Sequence, residues 1–590
     1  MGDLIINGGD IGLDVGNQQF TVRNVTIDGS NTGVKMPWNW GWNFQGITIR
    51  NAKVGFDVKT GSNLDDQDQG VGGVAIMDGI ISDTPVFYRS SRPSTNLQGS
   101  IVLNNIKLTN VQSVVAVLDG ETILQGSEGE MVVDTWVQGN IYVGKHSRGY
   151  HKGGTSPVPK DPSLLKNGRM FGKGRPTYAD YDASQIVSVK DEGAKGDGHA
   201  DDTLALQAVF DKVSPQTLPP QLISNGTEPK FAGCKIIFFD AGTYLVTDTL
   251  KIPAGVRIFG EAWAVIAGTG RKFDDIQNPR VVVRVGDPGS EGVAEIGGVI
   301  FSTRGPSLCC TFERVGTRTD SPSSTIAAGA IVLQWNVHSD TKGGAGLWDS
   351  YVRLGGTAGS ELQVAQCPKS AVGNRNCFAA FLAVHLTPQS NGYFEGMWIW
   401  LADHDFETLQ GDQTTIYSAR GLLSESQGPV WLIGTGSEHH ILVNYNLARA
   451  ANHYLGLPQT ESPYFQPNPP PPGPLYTSLS KWKDPIFTGR EGAAWGLHVT
   501  KSRNILVFGA GLYSFFTDYD STTCNRPDKI NCQGEVLHVD GESSMGVYSL
   551  TTVGVVHSLS IDRTPVINAV DNRNGFGQTV TVWKSSRDHR

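Results

Sequence analysis

Residues 25–49 read VTIDGSNTGVKMPWNWGWNFQGITI, and the stretch opens and closes on the same short apolar pattern. Val25-Thr26-Ile27 returns as Ile47-Thr48-Ile49, an offset of 22 (47 minus 25). Gly33-Val34 returns as Gly55-Phe56 at the same offset, and Gly12-Leu13 precedes Gly33-Val34 at an offset one position shorter (33 minus 12). Looser copies follow at Ile80-Ile81 and Ile106-Lys107-Leu108. A period near 22, with alternating apolar residues and Gly or Asn at the corners, predicts a parallel β-helix. One such coil cannot bury its own apolar face, so stacked coils must share a core. Leucine-rich repeats have a similar period, but their Leu-x-x-Leu-x-Leu frame is missing.

The pattern breaks over residues 145–185, which are rich in Gly, Pro, Lys and Arg, as in HSRGYHKGGTSPVPKDP from 146. This composition predicts a linker. The expected division is a first coil over 1–144, the linker over 145–185, and a second coil over 186–590. The second unit opens at residue 187 with VSVKDEGAKGDGHADDTLALQAVFDKV. Asp201 and Asp202 stand where a helix N-terminus favours negative charge. Leu206, Val209, Phe210 and Val213 follow at i, i+3, i+4 and i+7, one apolar stripe. A helix with that stripe can plug the open end of a β-helix. The glycine-rich run before it lacks the Gly-Lys-Ser/Thr ending of a phosphate loop and reads as a turn.

Composition agrees with this architecture. The chain has 590 residues, 72 of them Gly, and only 18% are charged, a profile of many short strands and turns. The formal net charge is -9 and no long basic run appears, which argues against nucleic acid as a partner. No apolar run is long enough to cross a bilayer. The opening MGDLIINGGDIGLDVG has neither a basic nor an apolar leader region and reads as a strand from mid-domain, so upstream coils and a signal peptide are expected to be missing. Of seven Cys, Cys367 and Cys377 frame one loop and Cys524 and Cys532 another, as local disulfides of a secreted protein would. Cys234, Cys309 and Cys310 remain, the vicinal pair in a structural role because no C-x-x-C is present. Asn24-Val25-Thr26 and Asn225-Gly226-Thr227 are glycosylation sequons, a weak sign of secretion.

Residues 434–464, GTGSEHHILVNYNLARAANHYLGLPQTESPY, carry the chemistry. The interval from Glu438 to Glu461 (461 minus 438) is close to one coil. Residues one coil apart stack roughly 5 Å from each other. Two carboxylates brought together in a groove rimmed with aromatics are the working parts of a glycosidase.

Several segments, in order along nearly the whole chain, resemble glycoside hydrolase family 55, the fungal and bacterial β-1,3-glucanases. They are GNQQF (16–20), WNWGW (38–42), STRGP (302–306), WIWLADHDFE (398–407), residues 434–464, and FGAGLYSFF (508–516). The entry motif of the second unit is similar to that of the wider pectate-lyase-like superfamily. The resemblance implies an all-β fold of two tandem right-handed parallel β-helices with the active site between them, the first helix truncated at its N-terminus. It implies an inverting, exo-acting hydrolase with no cofactor. Glu461 matches the general acid, and Glu438 a second carboxylate near the attacking water. Gln18 or Gln19 matches a glutamine that holds this water. Tyr464 and Trp400 match sugar-contacting aromatics. A hydroxyl residue of the family's water site falls near WNWGW, where this chain offers Asn43.

Simpler roles compete for some of these residues. Trp38, Trp40 and Trp42 alternate, so in a strand they share a face. They are a sugar platform, with Trp42 nearest the site, or packing between the two units. Asp403-His404-Asp405 with His439 and His440 suggests a metal, but adjacent histidines lack ligand spacing, and loop hydrogen bonding is expected. Glu395 and Glu425 are rival carboxylates. The tract QPNPPPPGP (466–474) is read as a stiff wall of the pocket. The sequence thus predicts a secreted, monomeric hydrolase of β-1,3-glucan. A pectin-active enzyme on the same fold is the alternative, weakened by the absence of Asn-Thr-Asp, Gly-His-Gly and Arg-Ile-Lys. A non-catalytic glucan-binding homologue is the other.

Overall fold

A computed structural model describes residues 1–61, 69–94, 99–213, 236–306, 327–526 and 529–586. Two parallel β-helices lie side by side. In the first, the repeats read from sequence are the ladder itself. Thr26 and Ile27 pair with Thr48 and Ile49, which pair with Ile80 and Ile81, which pair with Lys107 and Leu108. Leu13 stacks on Val34, and Val34 on Phe56. The recurring glycine before each of these has a steric reason. A Cβ on Gly33 would stand 2.7 Å from the Gly55 carbonyl oxygen, and one on Gly55 2.5 Å from that of Phe87. No side chain fits between the coils there.

The corners have their own repeat. Asp3, Asn24, Gly46, Asp78 and Asn105 succeed one another coil by coil, with φ of 55°, 52°, 73°, 60° and 53°. Asn and Asp tolerate this left-handed conformation because their short polar side chains bond locally. Here the Asn24 Nδ2 donates to Asp3 Oδ1 at 2.7 Å and the Asn105 Nδ2 to Asp78 Oδ1 at 2.5 Å.

The second helix begins with its plug. The helix Thr203–Val213 buries Leu206, Val209, Phe210 and Val213, the stripe expected from sequence. The Asp202 carboxylate accepts from the backbone N–H groups of Lys195 and Gly196 and so locks the glycine-rich turn to the helix. Above it, sheet strands climb from Leu250–Ile252 to Val555–Ile561 on one face. On the face toward the first helix, Gly298, Asp349, Gly396, Gly434, Leu457, Gly509 and Ser549 form a second column of left-handed corners. The described disulfides are Cys367–Cys377 and Cys524–Cys532. Cys234, Cys309, Cys310 and the Asn225 sequon lie outside the described residues.

Each helix has its own apolar core, and a third core fills the seam between them. Residues 145–185, expected as a plain linker, do more than connect. They begin with a strand, His146–Gly154, paired antiparallel to Thr122–Val143. Val158, Leu164, Met170 and Phe171 then enter the seam against Trp348, Tyr393 and Trp431. The indoles of Trp348 and Trp431 donate to the Lys173 and Leu164 carbonyls at 3.1 and 3.2 Å. The strand end Ile141–Val143 pairs with residues 582–584, so the helices also share a ladder. Among the described residues, no helix is long and apolar enough to cross a membrane.

Candidate active site

A cleft of about 600 Å³ opens where the two helices meet. The first helix contributes Gln19, Phe20, Thr21 and Arg23, all from the strand Asn17–Asp28. The second contributes Glu395, Trp398, Glu438 and Gln459 from three successive coils and the corner residues between them. The lining includes an ionic link across both helices. The Arg23 Nε donates to both oxygens of Glu395, at 3.0 and 2.9 Å. Glu395 also accepts from the Tyr393 hydroxyl. It is thus committed to a structural pair.

Glu438 and Glu461 are register partners on adjacent coils, in the strands Gly436–Glu438 and Gln459–Glu461. The column runs from Trp400 through Glu438 and Glu461 to Tyr513. Glu438 is 7% exposed and accepts from the Trp398 Nε1 at 2.7 Å. Glu461 accepts from the Tyr464 hydroxyl at 3.0 Å. Tyr464 packs edge-on to His439 and against Phe516, with ring centroids 4.9 and 4.0 Å apart.

These neighbours separate the two carboxyls. Burial raises both. At Glu438 it is opposed by His439 and by hydrogen bonds from Trp398 and Gln459. At Glu461 the negative charges of Glu438 and Asp403 add to burial and hold its carboxyl well above the usual carboxylate range. Asp403 is a third acid of the cluster. Burial would raise it, but His439 and the hydrogen-bonded His404 hold it down at about 2. Its Oδ1 lies 3.0 Å from His404 Nδ1 and 3.7 Å from His439 Nε2. On balance Glu438 is raised too, and a more strongly raised acid stacked on a second carboxyl is an arrangement that suits a general acid and its base.

The other expected residues fall into place or away from it. Gln19 lines the cleft, whereas Gln18, one residue earlier on the alternating strand, is exposed and outside it. The Gln19 Oε1 is buried without a protein partner. Asn43 is not at the cleft. It is fully buried in the seam, its Nδ2 3.5 Å from the Tyr454 hydroxyl, because its face of the strand packs on the second helix. The first-helix hydroxyl at the cleft is Thr21, whose Oγ1 donates to the Gly456 carbonyl at 3.2 Å. Trp42 is 3% exposed, held between Phe20 and Phe44 in the first core, and forms no sugar platform. Trp40 packs instead on Tyr513, Phe515 and Phe576. Trp400 is 1% exposed, covered by Trp398 and Phe406, with its Nε1 on Asp403 at 3.1 Å. Of these two neighbouring rings, Trp398 and not Trp400 lines the cleft. None of residues 466–474 lines the cleft as a wall.

The adjacent histidines diverge. His439 turns toward Asp403, from a backbone φ of 67°. His440 points inward onto Ser418 and the Ile399 carbonyl, where burial lowers its pKa to about 3. Among the described residues no group of side chains is arranged to hold a metal ion. Glu425 is paired with His385 at 3.1 Å.

A family model described as rhamnogalacturonase A/epimerase, pectate lyase-like, matches residues 1–57 and 186–283, the opening coils of each helix. A glucan 1,3-beta-glucosidase of Cochliobolus carbonum is 36% identical, over 98% of this chain and 69% of that protein. A probable glucan endo-1,3-beta-glucosidase of Arthroderma benhamiae is 30% identical, over 99% of this chain and 73% of that protein. The solved structure of sacteLam55A from Streptomyces sp. SirexAA-E aligns at 14% identity, covering 98% of this chain and 91% of that one, with a TM-score of 0.36.

Proposed function

The chain belongs to glycoside hydrolase family 55, the β-1,3-glucanases on the pectate-lyase-like β-helix, and from that membership we propose that it hydrolyses β-1,3-glucan from a chain end, with inversion, using Glu461 as general acid. It is a glycosidase. The observation that carries the role of Glu461 is its one-coil stack on Glu438, the carboxylate that lines the cleft between the helices, while inversion and end-attack are taken from the family.

In this mechanism the Glu461 proton passes to the glycosidic oxygen as the bond to the anomeric carbon breaks. Burial and the charges of Glu438 and Asp403 keep that proton in place until substrate arrives. The Tyr464 hydroxyl steadies the carboxyl while it acts. Glu438 takes a proton from a water that attacks the opposite face of the sugar. Gln19 lines the same cleft from the other helix, which suits a contact from its side-chain amide to that water. Catalysis would therefore need residues from both coils, 1–144 and 186–590, held together by 145–185. The two disulfides support a place outside the cell, where the protein would act as a monomer.

Proton NMR of fresh product from laminarin tests this reading. The proposal expects the α-anomer first, with small sugars accumulating before the polymer shortens. A retaining pair of carboxyls stands about 5–5.5 Å apart, and an inverting pair about 6.5–9.5 Å. Initial β-anomer would make Glu438 a nucleophile and overturn inversion. Rapid fall in polymer length would overturn end-attack.

A further inference from the structure

The strands Trp398–Leu401, Gly436–Glu438 and Gln459–Glu461 lie on successive coils. They place two columns side by side. One is Trp400, Glu438 and Glu461, and the other is Trp398, Gly436 and Gln459. The second column frames the carboxylate in the first. From below, the Trp398 N–H donates to Glu438 Oε2 at 2.7 Å. From above, the Gln459 side chain hydrogen-bonds the same carboxylate. The frame closes only because residue 436 is glycine. A Cβ there would stand 2.9 Å from Trp398 Cδ1 and 3.0 Å from Gln459 Oε1. The Trp398 ring has little freedom, being stacked on Trp400 at 4.9 Å and 24°. Trp400 is in turn pinned by its own N–H to Asp403 at 3.1 Å.

We propose that Trp398 is a positioning residue that biases which carboxyl of the pair is the base: its indole N–H, seated beneath Gly436, donates to Glu438 and favours the ionised form there, leaving Glu461 as the protonated partner. This rests on the reading of Glu438 as the base. The chemistry is one-sided because an indole N–H only donates. It matches an ionised carboxylate and favours that form. The Tyr464 hydroxyl, on the Glu461 side, both donates and accepts, so it tolerates either state of its partner. Trp398 thereby breaks the symmetry of two stacked glutamates.

The test compares Trp398→Phe and Gly436→Ala with the parent enzyme on laminarin, reading kcat, KM, melting temperature and the pH profile. Phe keeps a ring on Trp400 but has no N–H. The Cβ of G436A displaces both donors and leaves Glu438 itself intact. Each is expected to lower kcat about tenfold with little change in KM, and to move the acid limb of kcat/KM up by about one pH unit, since Glu438 loses a hydrogen bond that stabilises its charge. A tryptophan that merely packs would alter KM and melting temperature and leave the acid limb in place. If W398F does not fold, G436A carries the comparison. Glu438→Gln separates the two levels of the argument. If that variant turns over at the parent rate, the reading of Glu438 fails. If it is inactive while W398F or G436A keeps the parent acid limb, the positioning role alone is overturned.

Discussion

Glu461 can protonate a leaving group near neutral pH only while its surroundings oppose ionisation, and Asp403 is the neighbour whose contribution can be removed most cleanly. Asp403→Asn deletes a negative charge that raises both Glu461 and Glu438. Both pKa values should fall. The alkaline limb of kcat/KM, which reports loss of the Glu461 proton, should move to lower pH by about one unit, with the acid limb moving the same way. An unmoved alkaline limb would show that Asp403 does not act on the acid. A second residue-scale prediction separates two neighbours in the chain. Gln19→Ala should lower kcat on laminarin by about 10–100-fold, the scale of a lost contact to the attacking water. Gln18→Ala should leave it unchanged, because that side chain faces solvent. Equal effects would mean that neither glutamine orients the water. At this scale the sequence spoke unevenly. Glu438 and Glu461 were legible because the interval between them is one coil, and register follows from that. Thr21 was within reach by the same logic, two positions beyond Gln19 on the same face of a strand. Trp398 was not. Two tryptophans at i and i+2 share a face, and only the glycine in register above Trp398 shows which ring reaches the cleft. Asn43 was misread because a residue between the two helices is buried by contacts that one strand's pattern does not reveal.

The elements are short, and their order is held by stacking rather than by length. The repeat in the first helix was visible since each of its opening coils spends the same few residues on strands and corners. Its later copies, from Ile49 to Ile81 and from Ile81 to Leu108, are more widely spaced and pair all the same, because insertions extend loops and leave the ladder untouched. The capping helix was equally legible, for a stripe at i, i+3, i+4 and i+7 has one use beside the open end of a coil. Phe210 is its centre, fully buried and packed near Phe239 with ring centroids 6.3 Å apart. Phe210→Ala should cost about 3–5 kcal/mol, the usual penalty for emptying an aromatic site in a core. Thermal melting checks this. Turnover at low temperature should survive, since Glu438 and Glu461 lie several coils from the plug. A melting temperature equal to the parent's would show that the helix is not needed as a cap.

For the whole molecule, the seam matters as much as either helix. A site shared by Gln19 and Glu438 exists only if two separately cored coils are held at a fixed offset. Phe171 and its neighbours from residues 145–185 fill the seam, the shared ladder at residues 141–143 fixes one end, and the Arg23–Glu395 pair fixes the wall of the cleft. A composition rich in Gly, Pro and basic residues marked that segment as a connection and hid its role as filling, because only a few apolar side chains in it do the packing. All of this converges on one proton. The direct measurement is kcat for Glu461→Gln on laminarin, alongside its melting temperature and its affinity for the same glucan. The amide keeps the shape and the Tyr464 contact but has no proton to give, so turnover should fall by about 10²–10⁴-fold while folding and binding persist. A folded Glu461→Gln enzyme that hydrolyses laminarin at the parent rate would contradict the account.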